Sequence, residues 1–463
     1  MIKREFRPAN EYPFRRTNAR AWVISHALRY PLFLPALLLA AVANNACYGY
    51  LQLLTGRGFD LITSPGWSLA ALAGLALSAG GVSVAQGLTA LGRNYSAEFL
   101  AQRVERDARD ELYVSLLGKS QTFHGRQRVG DVMARATNDV RALNLMISPG
   151  LTLIVDSAMA ILIPLIMIGL LRLELLIVPC LFLVVLGITL HDYNRRLEPV
   201  SLGLRDQFGS MNAGLAEAIA GVEIVKANTR ERYEWDKFTG NARRYRDLWV
   251  QQGEIQARYL PLLMFSIAWA LGFLHALYIW QAGRITLGEV VAFMGLLGTF
   301  RFSTWISLFS FNLVQLGLAG ARRILDLINT ETELDENPAG YSQPMRGEVV
   351  FENVSFAYDG APVLTDISFA ARPGETVAIV GQTGSGKTTL TRLINRIFDV
   401  SGGRVLIDGV DVRDWNLSSL RSQISTIEQN VFLFSRTLAE NIAFGCTDAT
   451  PAEIEQVARD AQA

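Results

Sequence analysis

The chain has 463 residues, of which 50% are hydrophobic and 19% charged, against about 25% charged in an ordinary soluble domain. Its 43 Lys and Arg balance 43 Asp and Glu, so the total charge points to no polyanionic partner, and the wealth of large hydrophobes excludes global disorder. The three scattered cysteines, Cys47, Cys180 and Cys446, exclude a disulfide scaffold, and the four histidines have no metal-ligand spacing.

A bilayer core about 30 Å thick takes about 20 apolar residues of helix. Such runs lie at about Leu32–Leu54, Trp67–Leu91, Ile147–Leu171, Leu173–Leu190, Leu260–Trp280 and Ile285–Leu318, which predicts six spans, the last broken by Arg301. The first run contains Ala41-Val42-Ala43, a leader-like cleavage pattern. A cleaved leader is set aside because the polar segment before the run is long and hydrophobicity continues to Leu54.

The polar gaps between the runs alternate short and long. The N-terminal segment and the long gaps, about 93–146 and 191–259, are dense in Arg and Lys. Each short gap holds one basic residue, Arg57, Arg172 or Arg284. Positive charge near span ends stays on the cytoplasmic side, so the N terminus, both long gaps and the C-terminal part are expected inside. This is the topology of a multi-pass protein of the plasma or inner membrane. Within the long gaps charged residues alternate with Val, Leu and Met at helical spacing. Each gap is therefore predicted to be a helical hairpin. The first is expected to turn near Phe123-His124-Gly125 and the second near Asn212–Gly221.

After Ile328 the chain becomes acidic, polar and punctuated by Pro and Gly, which reads as a linker. Strand-like runs follow at Glu348–Phe356, Val363–Phe369 and Thr376–Val380, separated by Asp359-Gly360 and Arg372-Pro373-Gly374. Next come Gly381, Gln382, Thr383, Gly384, Ser385, Gly386, Lys387, Thr388 and Thr389. They fit the pattern G-x-x-x-x-G-K-[ST], with an apolar run before it and the helical run Leu390–Ile397 after it. Glycines let backbone approach a phosphate, the helix N-terminus favours the anion, Lys387 meets the outer phosphates and Thr388 offers its hydroxyl to Mg²⁺. Two further residues are ambiguous alone. Tyr358, at a strand end, is either a packing aromatic or a platform for a base. Gln429, after Ile424–Ile427, is either a solvated polar residue or a contact to Mg²⁺ and water.

Taken together, these features resemble an ATP-binding-cassette (ABC) exporter half-transporter. The runs Gly130–Asp139, Glu217–Lys226 and Leu287–Phe293 resemble family segments of the membrane half. Tyr358–Phe369, Asp411–Gln429 and Phe432–Gly445 resemble segments of the nucleotide half. The resemblance implies a six-helix transmembrane domain with long cytosolic helical extensions over residues 1–328, a linker over 329–346, and the N-terminal half of an α/β P-loop nucleotide-binding domain over 347–463. It implies that Tyr358 stacks on adenine, that residues 381–389 hold ATP, and that Thr388 and Gln429 meet Mg²⁺. It also implies a dimer with a second half-transporter, identical or not, in which ATP binding drives export. No nucleic-acid module is present.

The family's signature motif, catalytic carboxylate and switch histidine do not occur in these 463 residues. The chain itself is therefore expected not to hydrolyse ATP alone. It reads as a piece of a longer exporter, or alternatively as a membrane-anchored regulatory or inactive half without transport. Polar residues inside spans are functional candidates by default, and Asp156, His275 and Arg301 are candidate substrate contacts, with Asn44 and Asn45 beside them. The competing reading is that they bond to backbone or to one another, or snorkel. A cation at Arg301, in the span that lines the path in related exporters, would favour anionic or amphiphilic cargo. Small-molecule, lipid and peptide cargo all stay open.

Overall fold

The computed structural model describes residues 3–8, 10–65, 67–259, 261–446 and 448–462, with side chains at all of these but 261, 262 and 302–309. Leu260, where the fifth apolar run begins, lies outside the described residues. The helices in chain order begin with α1 (Ala19–Leu28), α2 (Phe33–Thr63), α3 (Leu69–Leu117), α4 (Gln121–Arg126), α5 (Val129–Ala134) and α6 (Val140–Leu145). There follow α7 (Thr152–Leu171), α8 (Ile177–Ala220), α9 (Val222–Ala227), α10 (Glu231–Arg258), α11 (Pro261–Gln281), α12 (Leu287–Gly298) and α13 (Phe300–Asn329). A small α/β region completes the chain: β1 (Val349–Tyr358), β2 (Ala361–Ala371), α14 (Lys387–Ile394), β3 (Gly402–Ile407), β4 (Val410–Asp411), α15 (Leu417–Ser422), α16 (Leu438–Ile442) and α17 (Pro451–Asp460). Contacts gather the chain into two compact units. One comprises Val23–Arg106 and Arg141–Ala321. The other comprises Met1–Trp22, Asp107–Val140 and Arg322–Ala463.

In the first unit the apolar runs become helices as expected, with Arg172 ending α7 in an extended conformation. Among the described residues five helical stretches are long and apolar enough to cross a membrane: Phe33–Thr63, Leu69–Leu117, Val129–Leu171, Leu173–Ala220 and Glu231–Gln281. The expected sixth span is divided. Its apolar part, α12, has 12 residues and is about 18 Å long. A single turn residue, Thr299, separates it from α13; its hydroxyl donates to the carbonyls of Leu296 and Ala160. Arg301 and the polar residues after it dilute the apolar run beyond Thr299. Phe182, Phe265, Phe293, Leu296 and Phe300 fill the core between these helices.

The tightest crossing joins α2 to α12. A Cβ on Gly56 would lie 2.3 Å from the Gly288 carbonyl oxygen, and one on Gly288 would lie 2.1 Å from that of Gly56. Asp60 fixes the start of α12, accepting from the Gly288 N–H and the Thr286 hydroxyl, each at 2.7 Å. Thr286 and Glu289 close a capping box there.

The long gaps are helical, as their spacing predicts: α3 has 49 residues and α8 has 44. The first hairpin turns around α4, at the expected place. The second begins its turn at Gly221, the far edge of the expected stretch, because α8 continues to Ala220, and completes it at residues 228–230. The Ala, Leu and Glu of residues 213–220 favour helix strongly enough to outweigh Gly214. Along this hairpin Tyr193 stacks on Tyr259 with ring centroids 4.4 Å apart, and Gln207 donates to Asn241.

In the second unit the sheet has order β2-β1-β3-β4, antiparallel throughout. Asp359 and Gly360 both have positive φ and form the two-residue turn between β1 and β2, as an Asp-Gly pair does best. Phe351, Val354, Phe356, Leu390, Leu393, Val405 and Trp415 are buried between this sheet and helices α14 and α15. Thr376–Val380 is not a strand. No described strand offers it a ladder partner, and Val380 is 88% exposed. The run Ile424–Ile427 is likewise extended without a partner strand.

Candidate functional site

The loop from Gly381 to Gly386 leads directly into α14, so the first backbone N–H groups of that helix face the loop unpaired. Gly384 and Gly386 have φ of +85° and +90°, a region costly for residues with a Cβ. A Cβ on Gly386 would also lie 2.8 Å from Leu364 Cδ2. The Lys387 ammonium folds back over the loop and donates to the carbonyls of Gly381 at 3.0 Å and Gln382 at 2.8 Å. Thr388 is exposed beside it, and Thr389 is buried. A helix N-terminus, two left-handed glycines and a cation held by neutral carbonyls form a cradle that fits a polyphosphate.

Tyr358 ends β1 beside this helix. Its hydroxyl lies 3.4 Å from Thr389 Oγ1, and its ring packs edge-on against Phe356 and Phe398. It remains 38% exposed, so the ring is buttressed from within and open outward. Gln429 is exposed, and no described contact joins it to Lys387 or Thr388.

A contact that sequence reading missed lies next to Tyr358. Arg126, at the end of α4, donates to Asp359 Oδ1 from Nε at 3.0 Å and Nη2 at 2.6 Å. Thr122 of the same helix donates to Glu333 at 3.2 Å. A polar cleft of about 460 Å³ lies here, lined by Arg126, Glu333, Tyr358, Asp359, Arg392 and Asp399 among others. The first hairpin thus touches the nucleotide half within two residues of the candidate base platform.

In the other unit a cavity of about 690 Å³ opens between helices. Arg93, Asp156, Arg301, Asn44, Asn45 and Gln86 line it together with Tyr48 and Thr299. Arg93 Nη1 donates to both oxygens of Asp156 at 2.8 Å, so that pair is locally neutral. Asn44 and Asn45 donate to the backbone carbonyls of Gln86 and Ala41. Arg301 has no ion pair among the described residues. The structure therefore brings Asp156 and Arg301 together at one cavity. His275 is not among the cavity's lining residues, and its Nδ1 is buried without a partner. In the sequence Arg93 is one of many basic residues of the first long gap. The available signal was its opposite sign to Asp156 at the edge of an apolar run.

Residues 34–304 match the family model described as ABC transporter transmembrane region, and residues 364–463 match the model described as ABC transporter. An uncharacterized ABC transporter ATP-binding protein of Bacillus subtilis (strain 168), YknU, is 29% identical over 87% of this chain and 70% of its own length. A fatty acid ABC transporter ATP-binding/permease protein of Mycobacterium bovis is 34% identical over 80% of this chain and 58% of its own. An ATP-dependent lipid A-core flippase of Syntrophus aciditrophicus is 31% identical over 79% of this chain and 61% of its own. The matched stretch thus spans 58 to 70% of the length of these relatives. The transmembrane-region match covers more than half of the residues and coincides with the apolar helices of a multi-pass membrane protein. The chain belongs to the ABC transporter family, as a half-transporter of the exporter type.

Proposed function

We propose that the chain is one half of a dimeric, ATP-driven exporter of the plasma or inner membrane, with its nucleotide half in the cytoplasm. The division is residues 1–328 for the transmembrane domain, 329–346 for the linker and 347–463 for the nucleotide-binding part. The observation that carries the reading is the cradle at Gly381–Thr389, where two left-handed glycines and the Lys387 ammonium converge at the start of α14. Lys387 exchanges its two carbonyl acceptors for phosphate oxygens, gaining a charge-assisted bond. Loop and helix N–H groups orient the phosphates, Thr388 and Gln429 take Mg²⁺, and the Tyr358 ring takes adenine. ATP supplies the free energy, and its differential affinity for the closed pair of nucleotide domains shifts the membrane half between states.

The partner is a second half-transporter, pressed upon through the hairpin tips. Ile219, Val222 and Ile224 expose an apolar tip on the second hairpin, which suits that role. For cargo we assign an amphiphile with an anionic head. Arg301 serves as the cation at the cavity, Asp156 keeps Arg93 neutralised, and His275 is left in a minor role. Relatives named for fatty acid and for lipid A-core support this assignment. The test is ATP-dependent movement of a fluorescent anionic lipid across proteoliposomes containing the natively produced protein. Transport abolished by Lys387→Ala and weakened by Arg301→Ala supports the reading. Nucleotide binding without transport of any anionic, neutral or cationic amphiphile sinks it and leaves the regulatory half.

A further inference from the structure

The segment before α1 has no sustained apolar run, yet it is tied down at several points. The Glu5 N–H donates to the Gly118 carbonyl just past the end of α3 at 2.9 Å, and the Glu336 N–H donates to the Arg4 carbonyl at 2.9 Å. Asn329 donates to the Arg16 carbonyl at 3.0 Å, and Arg16 pairs with Glu11 and Glu111, each at 2.6 Å. Gly118 is needed for the passage, because a Cβ there would lie 2.9 Å from the Phe6 carbonyl oxygen. From this strap the Glu5 carboxylate reaches Arg421 Nη1 at 2.7 Å, with the Glu5 side chain only 11% exposed.

The other nitrogens of Arg421 are also engaged. Nε donates to the Asn395 carbonyl at 3.1 Å and Nη2 to the Arg396 carbonyl at 2.8 Å. These carbonyls close the C-terminal end of α14, where a cation is favoured by the orphan acceptors and the helix dipole. The opposite end of α14, about 12 Å away, is the phosphate cradle. A single carboxylate from the N-terminal segment therefore holds the side chain that caps the far end of the phosphate-binding helix.

We propose that Glu5 is a positioning residue for the nucleotide site, acting through Arg421 on α14, so that docking of residues 3–16 and nucleotide binding are coupled. The proposal rests on the reading of Gly381–Thr389 as a nucleotide site. Glu5 is the counter-ion of Arg421 among the described residues, and without its charge Arg421 no longer fixes the end of α14. The coupling is reciprocal: nucleotide must tighten the strap by the factor by which the strap tightens nucleotide.

The test measures binding of a fluorescent ATP analogue with Mg²⁺ to the full chain in nanodiscs. Glu5→Gln, which preserves shape and removes charge, is expected to weaken binding about five-fold. In the parent, saturating analogue is expected to slow hydrogen exchange at the Glu5 and Glu336 amides. Affinity within about two-fold of the parent for Glu5→Gln overturns the proposal and makes the strap a purely structural tie. Should that variant not fold, the parent decides: exchange at those two amides unaltered by analogue overturns it equally. Lys387→Ala separates the two readings. If it binds like the parent, or if the parent does not bind, the nucleotide site itself is wrong and the coupling falls with it.

Discussion

Arg126 and Asp359, 233 positions apart in sequence, share two hydrogen bonds through a single carboxylate oxygen. Both side chains are more than half exposed, so the pair adds little to stability. Its importance lies in its place, between the tip of the first hairpin and the residue after Tyr358. Arg126→Ala is expected to leave the unfolding midpoint within about 1 °C of the parent while hydrogen exchange across residues 121–128 accelerates. Raising salt to about 0.5 M should act in the same direction. Unaltered exchange would show that other contacts hold the tip.

The two left-handed glycines of the cradle make different demands. At Gly386 an added methyl meets Leu364 Cδ2 at 2.8 Å and Val363 Cγ1 at 3.2 Å, whereas at Gly384 it meets nothing within 4 Å. Gly384→Ala therefore carries only the backbone cost of about 1–2 kcal/mol. Gly386→Ala adds a clash with β2, and it should lower affinity for an ATP analogue at least ten-fold more. Fluorescence titration of the two variants decides it, and equal losses would place the constraint outside the loop.

The Arg93–Asp156 pair lies at the cavity with side chains 19% and 16% exposed. Breaking a largely buried pair from one side leaves an uncompensated charge and costs about 3 kcal/mol, while removing both charges costs much less. Asp156→Asn should accordingly lower the unfolding midpoint in detergent more than the double change Arg93→Met with Asp156→Leu. The reverse order would mean that water already solvates the pair.

Lys119 is buried just past the end of α3, donating to the carbonyls of Ile328 at 3.1 Å and of Thr330 at the end of α13. Burial first, then repulsion by Arg4 and Arg16, pulls its pKa down to about 8. In the unfolded chain a lysine keeps its proton to about pH 10.4. Between these values the unfolded state holds a proton that the folded state has shed, so stability rises with pH. Below about pH 8 both states are protonated and the penalty is fully present. Thermal unfolding at several pH values from about 7.5 to 10 should show this rise in the parent and a flatter profile in Lys119→Met. A parent profile no steeper than that of the variant would contradict it.

What could be read from sequence was local in origin. A run of 20 apolar residues or a G-x-x-x-x-G-K-T string carries its structure within itself: five spanning stretches lie at expected runs, and the string forms a loop leading into a helix. Pairings over long separations left no such trace. Arg93 meets Asp156 across 63 residues, and Glu5 meets Arg421 across 416; neither residue is unusual in its own surroundings. Thr376–Val380 failed for the opposite reason. Its composition is that of a buried strand, but a strand also needs a neighbour, and composition does not supply one.

The mutual approach of Gly56 and Gly288 has a mechanical consequence. Backbone meets backbone there with no side chain between them, and Asp60 pins the adjacent turn. Such a crossing has no slack for one helix to slide past the other without climbing over a Cβ. Helices α2 and α12 therefore travel as one lever, and any relative motion of the helices is left to the joints flanking α12. On one side stands Gly283, with φ of +68°, and on the other the turn residue Thr299 between α12 and α13.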